Sequence, residues 1–133
     1  MKYLPPVAGA LLGFVFVFFG TAYFLNILPA PPKPPEGSAP ALFMGALYPS
    51  GYLSFVKALE ILGGLLVAIP RTRNFGLLIL GPIIVNILAF AIFIMKGDGI
   101  FAPPVVAVSV LAAYLLFVER KAFAQLCRPA SLR

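Results

Sequence analysis

Four long stretches of this chain carry no charged residue, and their length limits the folds that the chain can adopt. They cover residues 3–32, 37–56, 74–95 and 99–118. About 20 apolar residues are enough to cross a hydrocarbon core of roughly 30 Å as a helix. Backbone polar groups in lipid must be satisfied within each segment, and these runs lack the polar alternation of barrel strands. The sequence therefore predicts an all-α integral membrane four-helix bundle.

Composition supports the same class. The chain is 62% hydrophobic and 11% charged, whereas soluble globular domains are about 45–50% apolar and 25% charged. A soluble domain is not predicted anywhere, so residues 1–133 are taken as a single transmembrane domain. The predicted spans lie at about 6–28, 52–69, 75–95 and 103–118.

The segments between these spans are predicted from their breakers and their length. Residues 29–40 are rich in proline, which stops the first helix, and are predicted to form an external loop. Residues 41–49 are apolar but too short to cross, and Pro49, Ser50 and Gly51 separate them from the second span. We expect a short interfacial or re-entrant helix there. Residues 119–133 are predicted to form a cytoplasmic tail.

The basic residues cluster at the ends of the predicted spans. The net charge is +6, but this placement indicates membrane topology and no nucleic acid partner. One face would hold seven basic residues: Lys2, Arg71, Arg73, Arg120, Lys121, Arg128 and Arg133. The other face would hold Lys33 and Lys96. The positive-inside rule then predicts that both termini are cytoplasmic.

Three polar residues lie deep within the predicted spans and are the candidate intramembrane site. Lys57 and Glu60 are the only charges within the spans, and their i, i+3 spacing lets them pair on one helical face. Asn86 lies near the middle of the third span, where it could bond another helix or complete a site with Glu60. Ionisable residues at such depth usually face a protein interior or a cavity, so the pair could be structural or could bind a ligand, proton or partner.

The residue types that are missing exclude several kinds of chemistry. The chain has no histidine and one cysteine, Cys127, so histidine-ligated haem, histidine metal sites and iron–sulfur clusters cannot be built from it. Ser–His and Cys–His nucleophile pairs are excluded as well. No metal or covalently held cofactor is predicted, and any redox role would need a diffusible carrier or a partner's cofactor. The sequence does not favour an enzyme acting alone.

Three sequence blocks resemble the DoxX-like family of small bacterial four-helix membrane proteins. They are residues 43–52 (FMGALYPSGY), 57–66 (KALEILGGLL) and 81–87 (GPIIVNI), and the first helix is similar over 13–20. The resemblance implies a place in the bacterial cytoplasmic (inner) membrane, next to redox chemistry, since founding members accompany a thiosulfate:quinone oxidoreductase. It also implies the polar set Lys57, Glu60 and Asn86. Relatives often carry a histidine shortly after the asparagine, and here Ala91 stands at that position.

Several functions remain open from the sequence. The first is a quinone-interacting or accessory subunit of a membrane redox complex, with oxidoreductase subunits as partners and a quinone as the bound molecule. The second is a small proton-coupled transporter of hydrophobic substrates that uses Glu60. The third is a structural, self-associating membrane protein, a homo-oligomer in which the charged pair only sets packing. The lipid bilayer is a partner in all of them.

Overall fold

The computed structural model describes residues 2–28, 33–98 and 100–128, and within them the fold is built from helices without a strand. The α-helices are α1 (Leu4–Leu25), α2 (Ala39–Ser50), α3 (Tyr52–Ala68), α4 (Arg73–Ala89), α5 (Pro103–Val118) and α6 (Arg120–Leu126). A 3-10 turn, Pro70–Thr72, joins α3 to α4, and a π-helical turn, Phe90–Ile94, extends α4. The predicted all-α class is confirmed for these residues.

Local sequence explains where the helices begin and end. Proline pairs lie in the first turns of α1 and α5, where backbone N–H groups have no intrahelical acceptor. The Oγ atom of Ser38 accepts a hydrogen bond from the Ala41 N–H at 3.4 Å and caps α2. Gly51 has a φ of +85° and separates α2 from α3. The two helices are bent by 79° at this break.

Within the described residues, two helices are long and apolar enough to cross a membrane. They are α1 and the continuous helix Pro70–Ile94, which includes α4. The pair α2 and α3 would count as a third span if taken together across its bend, and α5 is a shorter apolar helix. The chain is therefore a protein with two or three candidate spans among its described residues.

Four helices enclose the core. The central helix α3 contacts both α1 and α4, and α5 contacts the same two helices from the other side, so the four close into a ring. The fully buried side chains Leu12, Val67, Leu80 and Leu115 come one from each of these helices. The core therefore lies along the axis of the ring.

The helix α2 lies across one end of this ring. The ring centroids of Phe43 and Phe90 are 5.1 Å apart, which connects α2 to the π turn after α4. Those of Tyr48 and Tyr23 are 6.2 Å apart, which connects α2 to α1. None of the α2 residues is buried, so this helix covers the end of the ring without entering it.

Glycines bring α1 and α3 into backbone contact. A Cβ atom added to Gly64 would lie 2.9 Å from the carbonyl oxygen of Gly13, and one added to Gly13 would meet the Gly64 carbonyl. One turn away, a Cβ atom on Gly9 would lie 2.8 Å from the Val67 carbonyl oxygen. Gly9 and Gly13 therefore hold α1 against the backbone of α3, because only hydrogen fits at these points.

The structure corrects some predicted boundaries. The first helix, predicted at 6–28, ends at Leu25 because Asn26 adopts a left-handed conformation, with a φ of 56°. Residues 39 and 40 belong to α2 and not to the loop, since Ser38 caps that helix. The predicted tail contains α6, which Glu119 separates from α5. Residues 29–32 of the predicted loop and 129–133 of the predicted tail lie outside the described residues.

Candidate functional site

The predicted ion pair is present in α3. The Lys57 Nζ atom donates a hydrogen bond to the Glu60 Oε1 atom at 3.5 Å. The two side chains differ in exposure, since 24% of Lys57 and 6% of Glu60 remains accessible. At this distance the contact is a long one, and the carboxylate is the more deeply buried partner. The i, i+3 spacing places both groups on the face of α3 that points into the ring.

A cavity of about 170 Å³ lies beside this pair. Residues of α1, α3, α4 and α5 line it: Val15, Phe16, Phe19, Lys57, Glu60, Ile87, Pro104, Val105 and Val108. The two charged side chains supply the only polar side-chain groups in this lining. A cavity of about 150 Å³ lined by apolar side chains is known to hold a benzene molecule. The space thus suits one ring-sized group with a polar edge.

Two aromatic rings of α1, those of Phe16 and Phe19, line this cavity. Phe16 is buried and Phe19 half-buried, whereas Phe14 and Phe18 point outward and are exposed. This division follows helical spacing, because residues three apart share a face and residues two apart do not. Two phenylalanine side chains therefore face the ion pair across the cavity. The exposed Pro104, at the start of α5, lies at the rim.

A second polar contact joins α1 and α3 near the Lys57 end of the pair. The hydroxyl groups of Tyr23 and Ser54 are 3.1 Å apart. The Lys57 Nζ atom also lies 6.0 Å from the centroid of the Tyr23 ring, within the range of a cation–π contact. The ammonium group therefore has both a carboxylate and an aromatic face beside it.

Asn86 is not part of this arrangement. It lies on the exposed side of α4, and among the described residues no hydrogen bond joins it to Lys57 or Glu60. The next residue, Ile87, lines the cavity instead. Mid-membrane depth and the short turn between α3 and α4 predict that Asn86 could complete a site with Glu60, but a difference of one position rotates a helical side chain by about 100°.

Arg73 is a buried polar residue that the sequence did not single out. It is only 6% exposed, and its Nε and Nη2 atoms have no hydrogen-bond partner among the described residues. A Cβ atom on Gly9 would lie 3.0 Å from the Nε atom, so the guanidinium group packs against α1. The same Cβ atom would lie 2.8 Å from the Val67 carbonyl oxygen, so the guanidinium group lies close to the C-terminal end of α3, which favours a cation. The Thr72 hydroxyl donates a hydrogen bond to the Leu66 carbonyl at 2.8 Å and stabilises the turn between α3 and α4.

Residues that could hold a metal do not gather in the part of the chain that the structure describes: no group of three or more histidine, cysteine, aspartate or glutamate residues occurs there. Cys127 is exposed and carries a free thiol. Ala91, which stands where the resemblance leads one to expect histidine, is buried in the π turn. The aliphatic methyl group at this position offers no proton to the site.

Comparison of the chain with protein family models, with curated proteins and with solved structures gave no match. The chemistry of the cavity is therefore the basis for a functional assignment.

Proposed function

We propose that this chain is a four-span protein of the bacterial cytoplasmic membrane that binds a quinone and serves as an accessory subunit of a membrane redox complex. One observation carries the proposal, namely the cavity of about 170 Å³ with Lys57 and Glu60 on its wall. A quinone head group is a flat apolar ring with two carbonyl oxygens. The Phe16 and Phe19 rings suit its faces, and the Lys57 ammonium group is the natural donor to a carbonyl.

The two charges would have different tasks. Glu60 is the buried member and would hold the ammonium group of Lys57 at the cavity wall. Lys57 can bond one carboxylate and still offer N–H groups, since an ammonium group has three donors. A tail attached to the ring would leave past the exposed Pro104 at the rim toward lipid. Glu60 is thus a positioning residue, and Lys57 is the residue that touches the ligand.

The four-span arrangement is supported by the closed ring of α1, α3, α4 and α5. In such an arrangement α2, bent by 79° from α3, would lie close to the membrane plane. This geometry favours an interfacial helix over a re-entrant one. Basic residues follow α3, as Arg71 does, and follow α5, as Arg120 and Lys121 do. The positive-inside rule would then place both termini in the cytoplasm.

The resemblance to the DoxX-like family supports the redox context of the proposal. Its central motif contains Lys57, Glu60 and the glycine pair Gly63 and Gly64, and these glycines lie at the contacts of α3 with α4 and α1. Proton-coupled transport has less support, because an exchanging carboxylate has to be free to lose its partner. Here Glu60 already has a lysine beside it, on its own helix.

Quinone binding can be measured directly with the purified full chain in detergent and a short-chain benzoquinone. We expect saturable binding at one site per chain. Lys57→Met should weaken it by roughly tenfold or more, since a hydrogen bond from a charged group contributes about 1.5–3 kcal/mol. Lys121→Met is the matched control, because Lys121 is exposed on α6 and is not among the residues that line the cavity. Absence of saturable binding, or equal affinities for the two variants, would refute the quinone site.

The accessory-subunit part needs a separate experiment. Affinity purification from the native membrane in mild detergent, with mass spectrometry of proteins and extractable quinones, should recover an oxidoreductase subunit in stoichiometric amount. Glu60→Gln should reduce this recovery or the quinone content, whereas Glu119→Gln should not, since Glu119 lies between α5 and α6 and away from the cavity. Recovery of the chain alone with bulk lipid would count against a redox complex.

A further inference from the structure

The outward side of α4 is a continuous exposed face within a candidate span. Its exposed members recur at helical spacing: Phe75, Leu78, Pro82, Val85, Asn86 and, in the π turn, Phe93. The opposite side of α4 carries the buried residues Leu77, Leu80 and Ile84, which pack into the ring. We name the exposed set the outer α4 face. It belongs to the helix Pro70–Ile94, the longer of the two that could cross a membrane.

Asn86 places a carboxamide on this face at a depth where lipid cannot satisfy it. It lies eight residues before Ile94, which is roughly 12 Å along the helix axis. That distance is well inside a span whose hydrocarbon part is roughly 30 Å thick. Lipid chains neither donate nor accept hydrogen bonds, so a side-chain amide there normally bonds across to another helix. Within this chain the ring of helices lies on the other side of α4.

Pro82 lies on the same face and removes the usual donor of one backbone carbonyl group. It lies inside α4 and has no backbone N–H, so the Leu78 carbonyl loses its intrahelical donor. Leu78, Pro82 and Asn86 follow one another at intervals of four residues and thus lie in one row. A Cβ atom added to the neighbouring Gly81 would meet nothing within 4 Å, so the middle of the face is open to a close approach.

Other helices of this chain approach the outer α4 face only near its ends, where Phe75 and Phe93 remain 66% and 76% exposed, and they leave its middle uncovered. At one end, a cavity of about 210 Å³ separates Phe75 and Leu78 from α6. At the other end, the ring of Phe43 in α2 lies against that of Phe90. Between these two contacts, the row with Pro82 and Asn86 is left without a neighbour from the described residues. The uncovered part is the part that carries the polar groups.

We propose that a second copy of this chain packs on the outer α4 face, with the two Asn86 side chains bonded to each other. Hydrogen-bond complementarity favours a second copy as the partner. A carboxamide has donors and an acceptor, so it complements its own image across a two-fold axis. Two copies in one membrane run in the same direction, and an axis along the membrane normal brings Asn86 opposite Asn86. This dimer requires the span but neither the cavity nor a ligand.

Self-association can be measured through Cys127, which is the only cysteine of the chain and is exposed. Full chains labelled there with donor and acceptor dyes are mixed in vesicles of phosphatidylcholine and phosphatidylglycerol, and energy transfer is followed as lipid is added. We expect transfer above random proximity that decreases with dilution. Asn86→Leu should shift the midpoint to about 3- to 30-fold higher protein density, the range of one interhelical hydrogen bond. Asn86→Gln keeps a carboxamide and should retain most of the association.

Cross-linking checks the face without relying on the Asn86 variants. In a Cys127→Ser background, Val85→Cys should form a dimer in the membrane when copper phenanthroline is added as oxidant. Val110→Cys is the matched control, because Val85 and Val110 are exposed to 65% and 61% and lie on different helices, α4 and α5. Equal cross-linking at both positions would overturn the proposal. Energy transfer that never exceeds random proximity would also overturn it. So would a wild type that stays monomeric and co-purifies with a different chain, if Asn86→Leu loses that chain.

Discussion

Lys57 and Glu60 form a pair in which the two charges are unequally buried, and this inequality predicts how the pair responds to mutation. Glu60→Gln removes the carboxylate and leaves a half-buried ammonium group without its partner. Breaking a buried pair costs roughly 3–5 kcal/mol, and a smaller loss is expected here because 24% of Lys57 remains accessible. We expect a lower unfolding temperature in detergent for Glu60→Gln than for the wild type.

The double variant Lys57→Met with Glu60→Gln tests the cause of that loss. Removing both charges leaves no unpaired ion in the ring, so the double variant should unfold at a higher temperature than Glu60→Gln alone. Thermal unfolding of the wild type, the two single variants and the double variant in one detergent gives the coupling energy between Lys57 and Glu60. Additive losses from the two substitutions would mean that the charges do not stabilise each other across the 3.5 Å contact.

The Lys57–Glu60 pair is predictable from the sequence for a local reason. The i, i+3 spacing fixes the relative position of two side chains within one helix, so Lys57 and Glu60 could be paired before any packing was known. Asn86 and Arg73 depend on which side of α4 meets the other helices. Rotation about the helix axis comes from tertiary packing, and α4 is apolar on nearly every side, so no amphipathic pattern revealed it. Arg73 in addition followed a turn and was interpreted only as a topology signal.

At the scale of the elements, glycine residues allow the helices α1 and α3 to pack at backbone contact. A Cβ atom at Gly13 would meet the Gly64 carbonyl group, which belongs to backbone and cannot rotate away. Gly13→Ala should therefore force the two helices apart and cost about 1–3 kcal/mol of stability. Thermal or denaturant unfolding in detergent measures this loss.

Gly81→Ala provides the matched control for that substitution. Gly81 also lies inside a helix, but a Cβ atom there would meet nothing within 4 Å. Replacing a helical glycine with alanine at an open position should be neutral or stabilise the chain by up to about 1 kcal/mol. A Gly13→Ala variant as stable as Gly81→Ala would show that α1 and α3 are not held at backbone contact.

The boundaries of the helices can be predicted where the sequence contains strong helix-breaking residues. Pro49, Ser50 and Gly51 predict a break between α2 and α3. Pro49 and Ser50 lie in the last turn of α2, and Gly51 takes the left-handed conformation that divides the two helices. The separate helix α6 was missed because Glu119 is an ordinary helix former. Its backbone, with a φ of −96° and a ψ of 17°, breaks the helix nonetheless. The Arg120 Nη1 group donates to the Phe117 carbonyl at 2.7 Å and helps to close the end of α5.

At the scale of the whole molecule, the proposed four-span topology depends on how many helices cross the membrane. Length and composition identify α1 and Pro70–Ile94 as candidate spans, with α2 and α3 as a bent third. The proposal of four crossings is based on the ring in which α3 and α5 each contact both α1 and α4. Four sites report on the alternatives, because each follows a different helix of the ring: Lys33, Arg71, Asp98 and Cys127 are all exposed.

Cysteine labelling at these four sites distinguishes the topologies. Lys33→Cys, Arg71→Cys and Asp98→Cys are each made in a Cys127→Ser background, and the wild type reports on Cys127. A membrane-impermeant maleimide is added to intact cells and, separately, to permeabilised cells. With four crossings and cytoplasmic termini, positions 33 and 98 should react in intact cells, whereas 71 and 127 should react only after permeabilisation.

Fewer crossings give different patterns. If only α1 and Pro70–Ile94 cross, then positions 33 and 71 share one side and 98 and 127 the other. If α3 crosses as well but α5 does not, then 33, 98 and 127 share a side and 71 is alone. Either pattern would contradict the four-span proposal. Since α5 has 16 residues, and a crossing helix needs about 17–25, the decisive comparison is between positions 98 and 127. Opposite accessibility there requires α5 to cross with the help of the apolar residues that precede it.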